Sequence, residues 1–303
     1  MLGLQYFSFE DLWSPLFLAF MLILIALYFV LVGPLADRVP RSEKATNWQK
    51  FMFVSGIFIL YMAQGGPISF LGHTMFTFHM ISMALSYIVA PPLLMRGIPA
   101  WVWRKVLDYK PLQWFSFLAK PIVAALVFNG LFSIYHIPVV HDYVMLNFTV
   151  HRLYYIVLFI ASILMWGSLV HPVPERDRGS GLAKIGFIFL NMVLLTPACG
   201  LIIFATEPLY ETYSNPNVWV AAMGYCFSGD PAVLLQTFGG PSYFNLLPNA
   251  QQDQQVGGVI MKMIQEVIFG IMLAYVFFQW YKKEQREEED IMPTASVSGK
   301  SEG

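Results

Sequence analysis

The chain has 303 residues, 57% of them hydrophobic and only 12% charged, with a net charge of −1 and a mean hydropathy of +0.57. A soluble domain carries roughly twice that charged share, which excludes a soluble enzyme, and nothing in the balance suits nucleic acid. The two cysteines, Cys199 and Cys226, are too few for a disulfide framework.

The apolar residues arrive in blocks close to the roughly 20 residues that cross a bilayer core. Seven are predicted, at about 14–33, 51–70, 73–95, 120–138, 152–170, 183–205 and 257–281. The expected fold is therefore all-α: a polytopic membrane protein whose seven transmembrane helices form one domain over residues 1–283. Glu10 and Asp11 precede the first block without any Lys or Arg, the reverse of a signal peptide, so a retained helix is expected.

Charge orients the bundle. Of the 18 Lys and Arg residues, all but Arg152 and Lys262 fall in alternate connections or in the tail. Arg38, Arg41, Lys44 and Lys50 follow the first span. Arg96, Arg104, Lys105, Lys110 and Lys120 follow the third, then Arg176, Arg178 and Lys184 the fifth. Lys282, Lys283, Arg286 and Lys300 follow the last. Basic residues mark cytoplasmic connections, so the amino terminus is expected outside and the carboxyl terminus inside. Residues 98–118 mix Trp, Phe and Leu with Lys and Arg, as an interfacial segment does. Residues 206–256 form a long outer loop, rich in aromatics and free of basic residues, and residues 284–303 read as a disordered tail.

Five of the six histidines fall on the outer side. His73 and His79 open the third span, His136 closes the fourth, His141 follows it, and His151 opens the fifth; His171 alone is at the inner face. Met75, His79 and Met83 are spaced as one helical stripe. Imidazole with thioether is a ligand set that suits copper, and Cys199 is placed to add sulfur. Against this, methionine is an ordinary gap-filler, and histidines at helix ends reach water, which is the plain reading of His73, His141 and His171. Ionisable groups at depth default to function, and this favours His79, His136 and His151. Asn129, Ser133, Asn191 and the Lys262–Glu266 pair form a second polar set, read mainly as contacts between helices. No phosphate-binding loop, nucleophile elbow, zincin or haem-attachment motif occurs, so no enzyme is expected.

The run HMISMALSYIVAPPLLMRGIP resembles the third span of the CtaG family, membrane-integral assembly factors of caa3-type cytochrome c oxidase. The likeness continues in YHIPVVHDYVMLNFTVHRLYYIVLFIASILMW, in ACGLIIFATEPLYETY and in DQQVGGVIMKM, covering most of residues 50–280. His79 matches the first histidine of a family HMxxH pattern, whose second position is Met83 here. Asp253, Gln254 and Gln255 match an outer-loop segment for which capping a helix is a sufficient role.

The resemblance implies a plasma-membrane factor that helps make an active oxidase, at the stage of copper insertion. The expected ligands are His79, Met83, His136 and His151, with His73, Met75 and Cys199 in reserve. The expected partners are oxidase subunits, an extracytoplasmic copper donor and the lipid bilayer; a homo-oligomer stays open. The rival readings are a transporter of a metal ion or small solute, and a haem-binding redox protein.

Overall fold

In a computed structural model the chain is described over residues 4–40, 42–177, 179–244 and 246–291. Arg41, Arg178, Lys300 and the end of the expected tail, 292–303, lie outside the described residues. The helices run in order: α1 (Phe9–Trp13), α2 (Pro15–Val32), α3 (Asn47–Gln64), α4 (Pro67–Thr74), α5 (Phe76–Ala84), α6 (Ala90–Gly97), α7 (Ala100–Leu107) and α8 (Lys110–Gln113). There follow α9 (Pro121–Tyr135), α10 (Pro138–Met145), α11 (Phe148–Leu169), α12 (Gly181–Ile203), α13 (Pro216–Met223), α14 (Pro231–Phe238) and α15 (Ala250–Ile291). No strand occurs among the described residues. Among the described residues, six helices are long and apolar enough to cross a membrane, or seven when α9 and α10 count as one bent span. The all-α, polytopic expectation is thus met.

Two of the long helices, α3 and α12, start at a side-chain N-cap. Thr46 and Gln49 close a capping box at α3, and the Ser180 hydroxyl accepts from the Ala183 amide at α12. Burial then sorts them. The third span, Phe76–Gly97, is the most enclosed, while the first is the most exposed and packs mainly on α3. Around α5 and α6 stand α3, α11 and α15, with α9 and α12 completing the bundle. Leu16, Val193, Met263 and Val267 are among the large apolar side chains left bare on the outside, which suits lipid.

Three irregularities set the site. The third span does not run unbroken from residue 73. The chain opens into an extended conformation at Met75 (φ −137°, ψ 131°), so His73 ends α4 while His79 belongs to α5. The Met75–His79–Met83 stripe is therefore interrupted at its first member. Downstream, one turn at Leu85–Val89 widens to a π-helix. It frees the Tyr87 carbonyl to accept from Ser162 Oγ (2.6 Å) and from the Trp166 indole (3.2 Å). The fourth span holds only 15 residues, about 22 Å. It then bends by 80° into α10, so His141 lies on a helix folded back against the bundle and not in a loop.

Other expectations shift at their edges. Helix α15 starts at Ala250 and runs 42 residues. It takes in residues 284–291, expected in the tail, because Glu, Gln and Arg are good helix formers extending an existing helix. The outer loop shrinks to 204–249 and contains α13 and α14. Its aromatic residues pack: Trp219, Met223, Leu234 and Phe244 form a buried cluster with Phe7, Phe70 and Leu71. At the opposite, basic end, Arg176 holds Asp108 through two bonds of 2.8 and 3.1 Å, and Arg104 pairs with Glu175. These exposed pairs contribute little stability.

Asp253 on α15 secures the break at Met75. Its Oδ2 accepts from the amides of Phe76 (2.6 Å) and Thr77 (3.4 Å), and its carbonyl accepts from the Thr77 hydroxyl (2.9 Å). A carboxylate at a helix N-terminus satisfies amides that no turn can reach. Asp253→Ala is expected to cost about 1–2 kcal/mol, the upper range for a lost N-cap. A lowered thermal midpoint in detergent would show it, and a midpoint equal to wild type would refute the cap.

Candidate functional site

The breaks bring together five histidines, four from helices and one from a corner. His79 comes from α5, His136 from the corner after α9, His141 from α10, His151 from α11 and His73 from the end of α4. Tyr135 stands among the deepest three, with ring centroids 5.6 Å from His79, 5.1 Å from His136 and 5.2 Å from His141. His79 is 5.2 Å from His141 and 6.3 Å from His136, while His73 and His151 form a second pair at 5.8 Å.

The tautomers follow from the partners. His136 Nδ1 donates to the Phe132 carbonyl (2.7 Å) and His73 Nδ1 to the Ser69 carbonyl (2.9 Å), since a carbonyl can only accept. The neutral His136 ring then presents Nε2 as its lone-pair nitrogen. The Nε2 atoms of His79, His136, His141 and His151 are buried without a hydrogen-bond partner among the described residues. An unmatched buried polar atom costs about 1–3 kcal/mol, so four in one region set this part of the bundle apart from its apolar core.

The walls of this region are held by side-chain bonds across long sequence separations. Asp142 accepts from the amides of Glu211 (3.0 Å) and Thr212 (3.2 Å) and from the Thr212 hydroxyl (2.9 Å). Its approach to His141 Nδ1, at 3.5 Å, is an ion-pair distance without hydrogen-bond alignment. The strapped segment carries Tyr210, which donates to the His136 carbonyl (2.9 Å), and Tyr213, which donates to the Gly72 carbonyl (2.6 Å). Gln254 accepts from the Leu209 amide (2.7 Å), and Gln251 and Gln255 donate to the Ala205 carbonyl. The Asp253–Gln255 segment thus shapes the site from outside it.

A cavity of about 300 Å³ leads in from the surface. Glu10, Asp11, Ser228 and Arg152 line its mouth; His73, Cys226, Met145 and His151 line its middle; Ser82 and His79 close its buried end. Of the sequence-derived candidates, His73, His79 and His151 face this cavity, and His136 adjoins it through His79. Met83 and Cys199 pack in the main apolar core and Met75 in the cluster under the 204–249 segment. The sulfur atoms at the cavity belong instead to Cys226 and Met145, and His141 joins the deep group. Sequence offered only weak signals for these three: Cys226 sits in an aromatic-rich loop, Met145 stands alone after a mixed stretch, and His141 is five residues from His136. Among the described residues no three His, Cys, Asp or Glu side chains converge closely enough to grip a metal ion as placed.

Burial disfavours the Cys226 thiolate, but the charge and hydrogen bond of His73, with Arg152, outweigh it, so the thiol lies below its ordinary value. Burial also pushes the Tyr210 phenol up, keeping it a neutral donor.

The chain is thus an all-helical, polytopic membrane bundle with an imidazole-lined cavity open at one end. Over residues 26–283 the chain matches the cytochrome c oxidase caa3 assembly factor family (Caa3_CtaG), and it belongs to that family. No curated protein and no solved structure matches it.

In a Cys199→Ala background, alkylation of Cys226 is expected to keep its rate to lower pH than a free thiol, because the thiolate persists there. His73→Ala should move that profile upward. An identical profile in both variants would show that His73 does not act on the thiol.

Proposed function

We propose that this assembly factor holds copper in the histidine cavity at the outer face of the membrane and gives it up to an oxidase subunit. The observation that carries this reading is the group of four buried, unpartnered imidazole nitrogens, with His79 and His151 lining the cavity and His136 and His141 beside His79. Neutral imidazole, thioether and a thiol of lowered pKa are soft to borderline donors, the set that copper prefers. The positive-inside rule supports an outward mouth, since the cavity opens at the end of the bundle remote from the basic connections. Glu10 and Asp11 at that mouth favour entry of a cation.

The role of each group follows from its depth. Cys226, His73, Met145 and His151 receive the ion, and His79 with His141 or His136 holds it further in. Because no three donors converge, the ion is held by few ligands at a time and moves by exchanging one for the next. Such a site retains a cargo without trapping it, which suits assembly better than permanent storage. Transport across the membrane is a weaker reading: beyond His79 the bundle is filled by Met83, Ala84, Tyr87, Ile88, Phe128 and Leu195, all buried apolar residues. The partners on this reading are an extracytoplasmic copper donor and the oxidase, with the cell membrane as the setting.

Copper content of the detergent-purified protein after Cu(I) loading and desalting tests the proposal. Wild type should retain near-stoichiometric copper, and His79→Ala should lose most of it together with oxidase activity in cells. Wild type free of copper under these conditions would overturn it. Orientation has its own test. In a cysteine-free background, Asn215→Cys should react with an impermeant maleimide on intact cells and Lys44→Cys should not. The reverse pattern would put the cavity in the cytoplasm.

A further inference from the structure

One charged pair lies on the outside of the bundle. Lys262 and Glu266 on α15 form an ion pair at 2.7 Å, with side chains 25% and 41% exposed. Glu266 stands about 20 Å from Asp253 and about 24 Å from Lys282 along the helix, at 1.5 Å per residue. It is therefore near the middle of the hydrocarbon layer. Around it the surface is apolar: Val259, Met263, Val267 and Ile271 on α15 and Val193 on α12 are all exposed. Ionisable side chains at this depth normally face the bundle interior. Here the carboxylate faces lipid.

The two partners are not equally satisfied. Lys262 Nζ is surrounded by four acceptors: Glu266, the Met192 carbonyl (3.3 Å), Thr196 Oγ1 (3.1 Å) and Gln265 Oε1 (3.4 Å). Its three protons are all taken. The Thr196 hydroxyl is spent on the Met192 carbonyl (2.8 Å). Glu266 receives only Lys262 among the described residues, through one oxygen. The patch therefore has spare acceptors and no spare donor. A second copy would set carboxylate against carboxylate, so the surface does not complement itself. Gly270, one turn along, has open space where a side chain would be, a notch that lets another helix approach closely.

We propose that this face of α12 and α15 docks a membrane-spanning helix of a different protein, one that presents a hydrogen-bond donor to Glu266 at mid-membrane. Given the family and the function proposed above, that helix belongs to an oxidase subunit. Donor and acceptor meet in a medium without water, so the contact selects partner and depth together, while the apolar flanks supply packing.

The test uses the full-length protein in membranes that also contain caa3 oxidase. A photo-crosslinking residue at Met263 or Val267 should give an adduct with an oxidase subunit, read by antibody, whereas one at Ile156 on the exposed face of α11 should not. The double variant Lys262→Met with Glu266→Leu removes both charges and keeps an apolar surface, so the fold survives. It should lower the Met263 adduct by about three- to fifteen-fold, the range for one lost polar contact between membrane helices. Copper retention in that variant should equal wild type. The proposal is overturned by an undiminished adduct in the double variant, by oxidase adducts from Ile156 but not Met263, or by an adduct between two copies of this chain. A protein that retains copper yet shows no oxidase adduct at Met263 or Val267 sinks the docking face alone. One that binds no copper but still crosslinks through Met263 sinks only the copper reading.

Discussion

Asp253 is the constraint on which the site depends. Inside a bilayer, backbone amides without partners cost several kcal/mol, so a spanning helix can break only where another group meets its ends. The break at Met75 exposes the first amides of α5, and the Asp253 carboxylate, buried on α15, accepts from two of them. That bond fixes the height and rotation of α5, and hence where His79 points. The next residues carry the same logic outward. Gln254 holds the Leu209 amide and Gln255 the Ala205 carbonyl, which sets the segment bearing Tyr210 and Tyr213 against His136 and Gly72. One turn of α15 therefore positions both a deep histidine and the tyrosines that wall it in.

The irregular backbone sits in the cavity half of the bundle or borders it. The Met75 break, the π-turn at Leu85–Val89 and the bend between α9 and α10 each have a named acceptor or donor from a distant part of the chain. Ser162 and Trp166 answer the free Tyr87 carbonyl, and Tyr210 answers the His136 carbonyl at the bend. Such departures persist only where surrounding contacts over-determine them, and they gather at functional sites. The basic end has short helices and exposed ion pairs, as connections need. The asymmetry of order matches the asymmetry of charge.

What could be read from the sequence was what local rules carry. Apolar blocks of spanning length and alternating basic connections gave the helices, because each signal lies within one segment. His79, His136 and His151 were visible as titratable groups at depth. The Met75–His79–Met83 stripe was not a true ladder, since helical spacing holds only if the helix is continuous, and its break depends on Asp253, 177 residues from Phe76. His141 looked like a loop residue because an eight-residue helix carries little periodicity. Cys226 could not be paired with His73 at all: their neighbourhood exists only once the 204–249 segment has folded over the bundle.

The division of the histidines into a shallow pair and a deep trio has a physical consequence for any cargo. His73 and His151, with Cys226, stand along the cavity wall where solvent reaches, whereas His79, His136 and His141 surround Tyr135 in a fully buried layer. On the proposed reading, a cation moving inward would exchange water for imidazole in steps and would not meet the full desolvation cost at once. Outward movement would retrace the same steps, since among the described residues no three His, Cys, Asp or Glu side chains converge on one point. Release to a partner then needs only a competing donor at the mouth, not the unfolding of a chelate. The lateral patch around Glu266 fits this scheme by separation of tasks. Docking within the bilayer would hold the recipient for long enough, and the open end of the cavity would stay free for the transfer itself.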